Sequence, residues 1–265
     1  YGDAAQPALI YLPGLHGDWT LIASFRAALK NRVCFVEITY PRTVSWSLED
    51  YARGVLAALH AQGICRGWLL GESFSSQVAW AILEQAPRSQ FAVQGIILAG
   101  GFVRYPALWV ARCVQSLNRR VSLRWLERSC RVYAWYARLR HARAPETLAQ
   151  IAEFTRRRVV EADRQAICHR YSLLIGNDPR RIAQACVVPV FYLTGLFDPV
   201  VPWFHVRPWL KRHCPACQDF KLVWRADHHV LGTAPAVCAR EILNWMGMGT
   251  HVYRENDEKV FDRQP

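Results

Sequence analysis

The sequence predicts an α/β fold in which a mostly parallel sheet is flanked by helices and carries an inserted helical cap. Short apolar segments alternate with segments of helical spacing up to about residue 102. The alternation stops for about 80 residues of purely helical pattern and resumes near residue 186. Strands separated by helical crossovers pair in parallel, with helices covering both faces of the sheet.

The first part of the chain alternates predicted strands and helices. The strands are ALIYL at 8–12, VCFVEI at 33–38, GWLL at 67–70 and VQGIILA at 93–99. The helices between them are expected at 19–29, 47–62 and 74–85. Ser47 followed by Asp50 resembles a capping box at the start of the second helix, and Pro87 ends the third.

The helical block and the resumed alternation divide the chain into a core of residues 1–102 and 186–247 and a cap of residues 103–185. In the second half of the core, strands are predicted at 188–194 and 220–224, and helices at 203–211 and 235–246. The polar residues 248–265 are expected to form a flexible tail.

Composition restricts the class of protein. With 52% hydrophobic and 20% charged residues the chain is of globular type. No apolar run is long enough for a transmembrane segment, and no basic region precedes an apolar stretch at the start, so we expect neither a membrane span nor a signal peptide. An odd number of cysteines, nine, scattered through apolar segments favours reduced thiols and a cytoplasmic location.

A cysteine pair and an arginine-rich block are two further candidate sites. Cys214 and Cys217 have CxxC spacing, but a zinc site would need a second ligand pair at motif spacing, so we expect no metal and no cofactor. Residues 102–185 hold 17 Arg, no Lys and 6 acidic residues, which accounts for nearly all of the net charge of +12. We interpret this block as a solvated helical surface that could also attract an anionic substrate; no motif for nucleic acid accompanies it.

The sharpest chemical signal is LLGESFSS at 69–76, between a predicted strand and a predicted helix. A turn this tight strains its central residue and brings the chain close to itself at the second residue on either side. Those positions hold the small residues Gly71 and Ser75, which makes Ser73 the candidate nucleophile. The N–H of Phe74, at the start of the helix, is a candidate oxyanion donor.

A serine nucleophile needs a base and an acid, which follow it in the order Ser, acid, His in proteins with this kind of turn. Asp198 lies in the loop after the strand at 188–194. His228 and His229 both follow the last strand, and both are candidates for the base. Asp227 is too close in sequence to reach round to either ring, so Asp198 is the candidate acid.

The loop after the first strand is expected to supply a second oxyanion donor. It contains both Pro13-Gly14 and His16-Gly17. If Pro13-Gly14 forms the oxyanion turn, the donor is the amide of Leu15. If His16-Gly17 forms it, the donor is the amide of Asp18. Leu15 lies nearer the end of the strand and is preferred.

These motifs resemble the α/β-hydrolase superfamily over roughly residues 7–247. YLPGLHGDW and LGESFSSQVAWAILEQAP are similar to a bacterial subgroup that carries LPGLxG near its start and GESFS at the nucleophile turn. Two departures stand out: His16 replaces an acid, and Ser76-Gln77 replaces Gly-Pro. The resemblance implies the triad Ser73, Asp198 and His228. It favours His228 over His229 because the catalytic histidine of that architecture commonly lies seven residues before the proline of the last helix, here Pro235.

The resemblance does not fix a substrate, because the fold hosts many chemistries. We interpret the chain as a hydrolase that cleaves carboxylic esters through an acyl-enzyme intermediate. The cap is expected to roof the pocket with aromatic side chains suited to an acyl or aromatic group: Trp109, Trp125, Trp135, Tyr133, Tyr136 and Tyr171. The same triad also serves thioester, lactone and C–C hydrolysis or acyl transfer. A non-catalytic binding protein on this fold is a further alternative, and the sequence leaves the oligomeric state open.

Overall fold

The structure, a computed structural model, describes residues 1–122, 128, 132, 135, 149, 152–154, 157 and 160–248. In these residues one sheet of six strands runs in the order β2-β1-β3-β4-β5-β6, with parallel pairing throughout. The strands are β1 (Ala8–Leu12), β2 (Cys34–Glu37), β3 (Arg66–Glu72), β4 (Ala92–Ala99), β5 (Val190–Gly195) and β6 (Cys217–Val223). The predicted α/β class is confirmed.

Helices cover both faces of this sheet, so the central strands are buried on both sides. They are α1 (Ala23–Ala28), α2 (Leu48–Ala61), α3 (Ser75–Gln85), α4 (Leu108–Arg120), α5 (Glu161–Gly176), α6 (Arg180–Gln184), α7 (Trp203–His213), α8 (Val230–Thr233) and α9 (Pro235–Trp245). Every residue of β1 and β5 is buried, which explains why these strands read as continuous apolar runs. Side chains alternate along β1: Leu9 and Tyr11 enter one core, whereas Ile10 and Leu12 enter the other.

The start of α2 confirms the predicted capping box. The hydroxyl of Ser47 accepts a hydrogen bond from the Asp50 amide at 3.2 Å, and the Asp50 carboxylate accepts one from the Ser47 amide at 2.9 Å. The prediction of a helix over 19–29 was too long, because α1 begins only at Ala23. The Asp18 carboxylate accepts hydrogen bonds from the amide and the hydroxyl of Thr20 and holds this segment in a turn instead of a helix.

Between β4 and β5, the described residues form α4, α5 and α6 and no strand. Helices α4 and α5 pack together, and Gln115 donates to the Cys168 carbonyl across their interface at 2.9 Å. The division into core and cap stays a prediction. Trp125, Tyr133, Tyr136 and residues 249–265 lie outside the described residues.

Not every aromatic residue assigned to the cap has the same environment. Trp109 and Trp135 are exposed, whereas Tyr171 packs against the core that contains Ile10 and Leu12.

No helix in the described ranges is both long and apolar enough to cross a lipid bilayer.

Arg170 on α5 is fully buried and joins the helical block to the loops at the carboxyl edge of the sheet. Its guanidinium donates to the Leu15 carbonyl at 2.7 Å, the Pro41 carbonyl at 3.0 Å and the Tyr51 hydroxyl at 3.2 Å. The rings of Tyr40 and Tyr51 lie 5.6 and 5.8 Å from its charged centre. A buried cation is tolerated only when its donors are satisfied, so Arg170 anchors these loops as a unit.

We expect Arg170→Met to lower the free energy of unfolding by about 2–4 kcal/mol, because three buried acceptors lose their donor while the side-chain volume is kept. Denaturant titration followed by circular dichroism measures this change. Arg53→Met is the matched control, since the Arg53 side chain is 70% exposed and should leave stability unchanged. Equal unfolding midpoints for Arg170→Met and the wild type would contradict the anchoring role.

Candidate active site

The turn between β3 and α3 holds Ser73 in a left-handed backbone conformation, with φ of +51°. A residue other than glycine adopts this conformation only when its surroundings enforce it. The Ser73 amide donates to the Ala99 carbonyl at the end of β4, 3.0 Å away. A Cβ atom on Gly71 would lie 2.9 Å from the Ser75 carbonyl oxygen, so the close approach predicted at this position is present. The turn therefore aims the Ser73 side chain away from the sheet edge.

Ser73, His228 and Asp198 lie in one chain of hydrogen bonds at the carboxyl edge of the sheet. The Ser73 Oγ is 2.9 Å from His228 Nε2, and His228 Nδ1 is 2.8 Å from Asp198 Oδ2. The other oxygen of Asp198 accepts from the amides of Val200 and Val201 at 2.8 and 2.9 Å. The carboxylate is fully buried, so its orientation is set by these amides and by the imidazole.

Two glycines that sequence reasoning did not single out make room for the histidine loop. Gly100, with φ of +56°, lies against His228: an added Cβ would be 3.0 Å from the His228 carbonyl oxygen and 3.3 Å from its Nδ1. Gly195, at the end of β5, lies directly against the carbonyls of Ala226 and Asp227. The only sign of this in the sequence is the Gly100-Gly101 pair after β4. Such a pair predicts a turn, but it does not predict that His228 packs against Gly100.

His229 does not contact Ser73 and belongs to a separate cluster. Its Nδ1 is 2.6 Å from Glu72 Oε1, and its Nε2 is 2.9 Å from the Leu21 carbonyl oxygen. The second oxygen of Glu72 accepts a hydrogen bond from the Tyr11 hydroxyl. Burial opposes the charged ring, but the Glu72 carboxylate prevails and raises the pKa of His229 to about 9. Sequence analysis considered His229 only as the less favoured candidate for the base and did not identify Glu72 as its partner.

The two candidate oxyanion donors have a defined direction. The Gly14 carbonyl accepts from the Gly17 amide at 2.9 Å, and the Ser73 carbonyl accepts from the Ser76 amide at 3.0 Å. In a trans peptide the N–H points opposite to the carbonyl, so the amides of Leu15 and Phe74 face away from these contacts. Among the described residues, neither amide has an acceptor.

Ser76 and Gln77, which together form the second of the two departures, make side-chain hydrogen bonds at the start of α3. The Ser76 hydroxyl donates to the Ser73 carbonyl at 2.7 Å and accepts from the Phe102 amide at 3.2 Å. The Gln77 amide group donates to the Val103 carbonyl at 2.7 Å and accepts from the Asn177 side chain at 2.9 Å. Gly and Pro could form none of these side-chain bonds, so Ser76 and Gln77 tie the start of α3 to the loop after β4 and, through Asn177, to the end of α5.

Cys214 follows α7 and Cys217 is the first residue of β6, so both lie at the amino end of that strand, away from the carboxyl edge of the sheet. Burial raises the pKa of the Cys214 thiol to about 12, and burial also raises the pKa of Cys217. Both are free thiols. In the part of the chain that the structure describes, no group of three or more His, Cys, Asp or Glu side chains is arranged to hold a metal ion.

The architecture is similar to that of solved hydrolases. A hydrolase from Pseudomonas aeruginosa superposes with a TM-score of 0.75 at 15% identity, over 93% of this chain and 92% of that one. An esterase from Thermogutta terrifontis gives 0.72 at 18% identity, over 94% and 92%. An enol-lactonase from Burkholderia xenovorans gives 0.71 at 18% identity, over 93% and 94%.

These similarities define the architecture as the α/β-hydrolase fold. No protein-family model matches the chain, and no curated protein sequence matches it significantly. The fold hosts many chemistries, so the function has to be inferred from the site itself.

The ion pair between Glu72 and His229 predicts a pH dependence of stability. The folded pKa of His229 is raised from 6.5 to about 9, so the folded state binds more protons than the unfolded state between these values. The stabilisation is complete between pH 4.5 and pH 6.5 and is lost as the pH rises through 9. We expect the difference in unfolding free energy between the wild type and Glu72→Gln to shrink over this range in denaturant titrations. A difference that is constant across it would contradict the ion pair.

Proposed function

We propose that this protein is a serine hydrolase of carboxylic esters, with Ser73 as nucleophile, His228 as base and Asp198 as the acid that orients the imidazole. The observation that carries the proposal is the continuous arrangement of these groups, with 2.9 Å from Ser73 to His228 and 2.8 Å from His228 to Asp198. The strained turn at Ser73 supports it, because such strain is retained where it aims a reacting group.

The reaction proceeds in two halves. Ser73 Oγ attacks the ester carbonyl while His228 Nε2 accepts its proton, and His228 then gives that proton to the departing alcohol. A water molecule that loses its proton to His228 next attacks the acyl-enzyme, and the acid leaves as Ser73 recovers its proton. Asp198 stabilises the imidazolium in both halves and stays ionised.

The amides of Leu15 and Phe74 are proposed to hold the oxyanion. Both lack an acceptor among the described residues, and the loop that carries Leu15 is tied to the nucleophile turn. Ser75 Oγ donates to the Pro13 carbonyl, which brings the loop after β1 against the start of α3. Arg170 holds the Leu15 carbonyl from the other side. Donors fixed in this way need no rearrangement when negative charge develops.

The substrate class proposed is a small-molecule ester with an acyl or aromatic group. The structurally similar esterase and enol-lactonase bring ester hydrolysis and lactone opening into the range of activities to be tested. Thioester hydrolysis, C–C cleavage and acyl transfer use the same triad and are separated from ester hydrolysis by matched substrates. The free thiols fit the proposed location in a reducing compartment, the cytoplasm.

Hydrolysis of p-nitrophenyl esters, from acetate to palmitate, tests the nucleophile. We expect Ser73→Ala to lower kcat/KM by at least about 10³-fold, because the attacking oxygen is removed. Ser75→Ala is the control from the same turn and should lose about tenfold at most. Activity that survives in Ser73→Ala would refute the assignment. Absence of activity on every ester, from folded wild-type protein, would favour a more specialised hydrolase or a binding protein.

Gly100 allows a test of the His228 position. We expect Gly100→Ala to lower kcat/KM by about tenfold or more, because the added methyl group displaces the His228 ring. Gly63→Ala is the matched control: Gly63 also has a positive φ, +69°, but nothing lies within 4 Å of its Cβ position. Both variants should lose about 1 kcal/mol of stability from backbone strain. Equal activity of the two variants would show that Gly100 does not position His228.

A further inference from the structure

Besides Asp198 and His228, a second carboxylate and histidine are in contact at this site, namely Glu72 and His229. They adjoin Ser73 and His228 in the sequence. Glu72 immediately precedes Ser73, and His229 immediately follows His228. Glu72 Oε1 and His229 Nδ1 are 2.6 Å apart, although the residues are 157 positions apart in the chain. The nucleophile turn and the histidine loop are therefore joined at two neighbouring points, one of which is the bond from Ser73 to His228.

The partners of His229 determine its protonation. The Leu21 carbonyl, 2.9 Å from Nε2, can only accept, so this nitrogen carries a proton. At the other side of the ring the Glu72 carboxylate lies at hydrogen-bond distance from Nδ1, and it also accepts from the Tyr11 hydroxyl. A ring between two acceptors donates from both nitrogens, which makes it an imidazolium paired with a carboxylate.

The structure holds this ring in one orientation. A Cβ on Gly232 in α8 would collide with the His229 ring, so the ring fills the space that the glycine leaves. The Glu72 side chain is 4% exposed and that of His229 is 22% exposed. Ordered groups of opposite charge that are largely removed from water form a directional contact, which surface pairs rarely do.

We propose that Glu72 and His229 are positioning residues: an ionised pair that aligns Ser73 with His228 and takes no proton during the reaction. This inference rests on the proposed function, because it assigns a purpose to the alignment of that nucleophile with that base. The pair is a poor proton carrier, since both ring nitrogens are already engaged by acceptors that do not touch the reacting atoms.

Other titratable groups face the pair from each neighbouring element. Tyr11 contributes from β1, His16 from the loop that follows it, and Asp227 from the histidine loop itself. Asp18, in the same loop as His16, acts on Tyr11. Burial opposes ionisation of Glu72, but the charged His229 outweighs it and lowers the pKa of that carboxyl. The pair is thus ionised at neutral pH, and His229 loses its charge only as the pH approaches about 9.

Glu72→Gln tests the positioning role, because Gln keeps the shape and can bond to a neutral His229 and to Tyr11. We expect kcat for p-nitrophenyl esters to fall about 10- to 100-fold with KM nearly unchanged, since misalignment affects the reacting atoms and not substrate binding. Glu37→Gln is the matched control. Glu37 is a second largely buried carboxylate, paired with Arg26 at 2.7 Å, on β2, two strands away from β3. It should leave kcat unchanged.

The pH profile separates positioning from a purely structural role. Wild-type kcat should decline as the pH rises through about 9, where His229 loses its charge, and Glu72→Gln should lack this decline. The same decline in both enzymes, or a wild-type kcat in Glu72→Gln, would overturn the proposal.

Ring-nitrogen NMR of ¹⁵N-histidine-labelled wild type provides a measurement that does not depend on a variant's folding. We expect one ring with both nitrogens still protonated at about pH 8. A spectrum in which every ring is neutral at that pH would overturn the ionised pair.

Labelling of Ser73 by a fluorophosphonate distinguishes failure of this inference from failure of the proposed function. Wild type that reacts at Ser73 and hydrolyses esters, with an unaffected Glu72→Gln, refutes the positioning role alone. Wild type that neither reacts nor hydrolyses refutes the proposed function, and with it the positioning role, while the NMR measurement still decides the charge of His229.

Discussion

The tight turn at Ser73 is the constraint on which the rest of the site depends. Holding a serine at a φ of +51° is unfavourable in isolation, so the surroundings must supply the compensating contacts. They come from the Ala99 carbonyl at the end of β4 and from Ser76 in the first turn of α3. Parallel pairing of β3 with β4 brings these groups to the same edge of the sheet, so the backbone geometry of the turn follows from sheet register.

The loops around this turn are held by polar side chains that are themselves buried. Ser75 reaches the Pro13 carbonyl and lies 2.7 Å from the Tyr40 hydroxyl, while Arg170 reaches the Leu15 carbonyl from the helical block. Gln77 extends the same network to the loop after β4. Loops cannot be ordered by apolar packing alone, because their carbonyls and amides need partners when they leave water. These hydrogen bonds therefore fix the positions of the loops around the proposed site.

Charge at the site is distributed in two adjacent carboxylate–histidine pairs with different environments. Asp198 is oriented by backbone amides and leaves one nitrogen of His228 directed at Ser73. Glu72 engages His229 on one nitrogen while the Leu21 carbonyl engages the other. One nitrogen of the His228 ring therefore faces a hydroxyl with which it can exchange a proton. Both nitrogens of the His229 ring face a carboxylate or a carbonyl instead. Neighbouring histidines thereby differ in chemistry because their partners differ.

The sequence by itself determined the α/β class, the strands, the capping box at Ser47 and the small residues of the turn, because periodicity, capping and turn chemistry are local properties. It also supplied the candidates Ser73, Asp198 and His228, whose roles stay predictions. Only the tertiary structure decided that His228 lies against Ser73 and His229 against Glu72, since these contacts join positions more than 150 residues apart. It also placed Gly100 beside His228 and Arg170 beneath the Leu15 loop, because burial and long-range contact leave no periodic trace in a single chain.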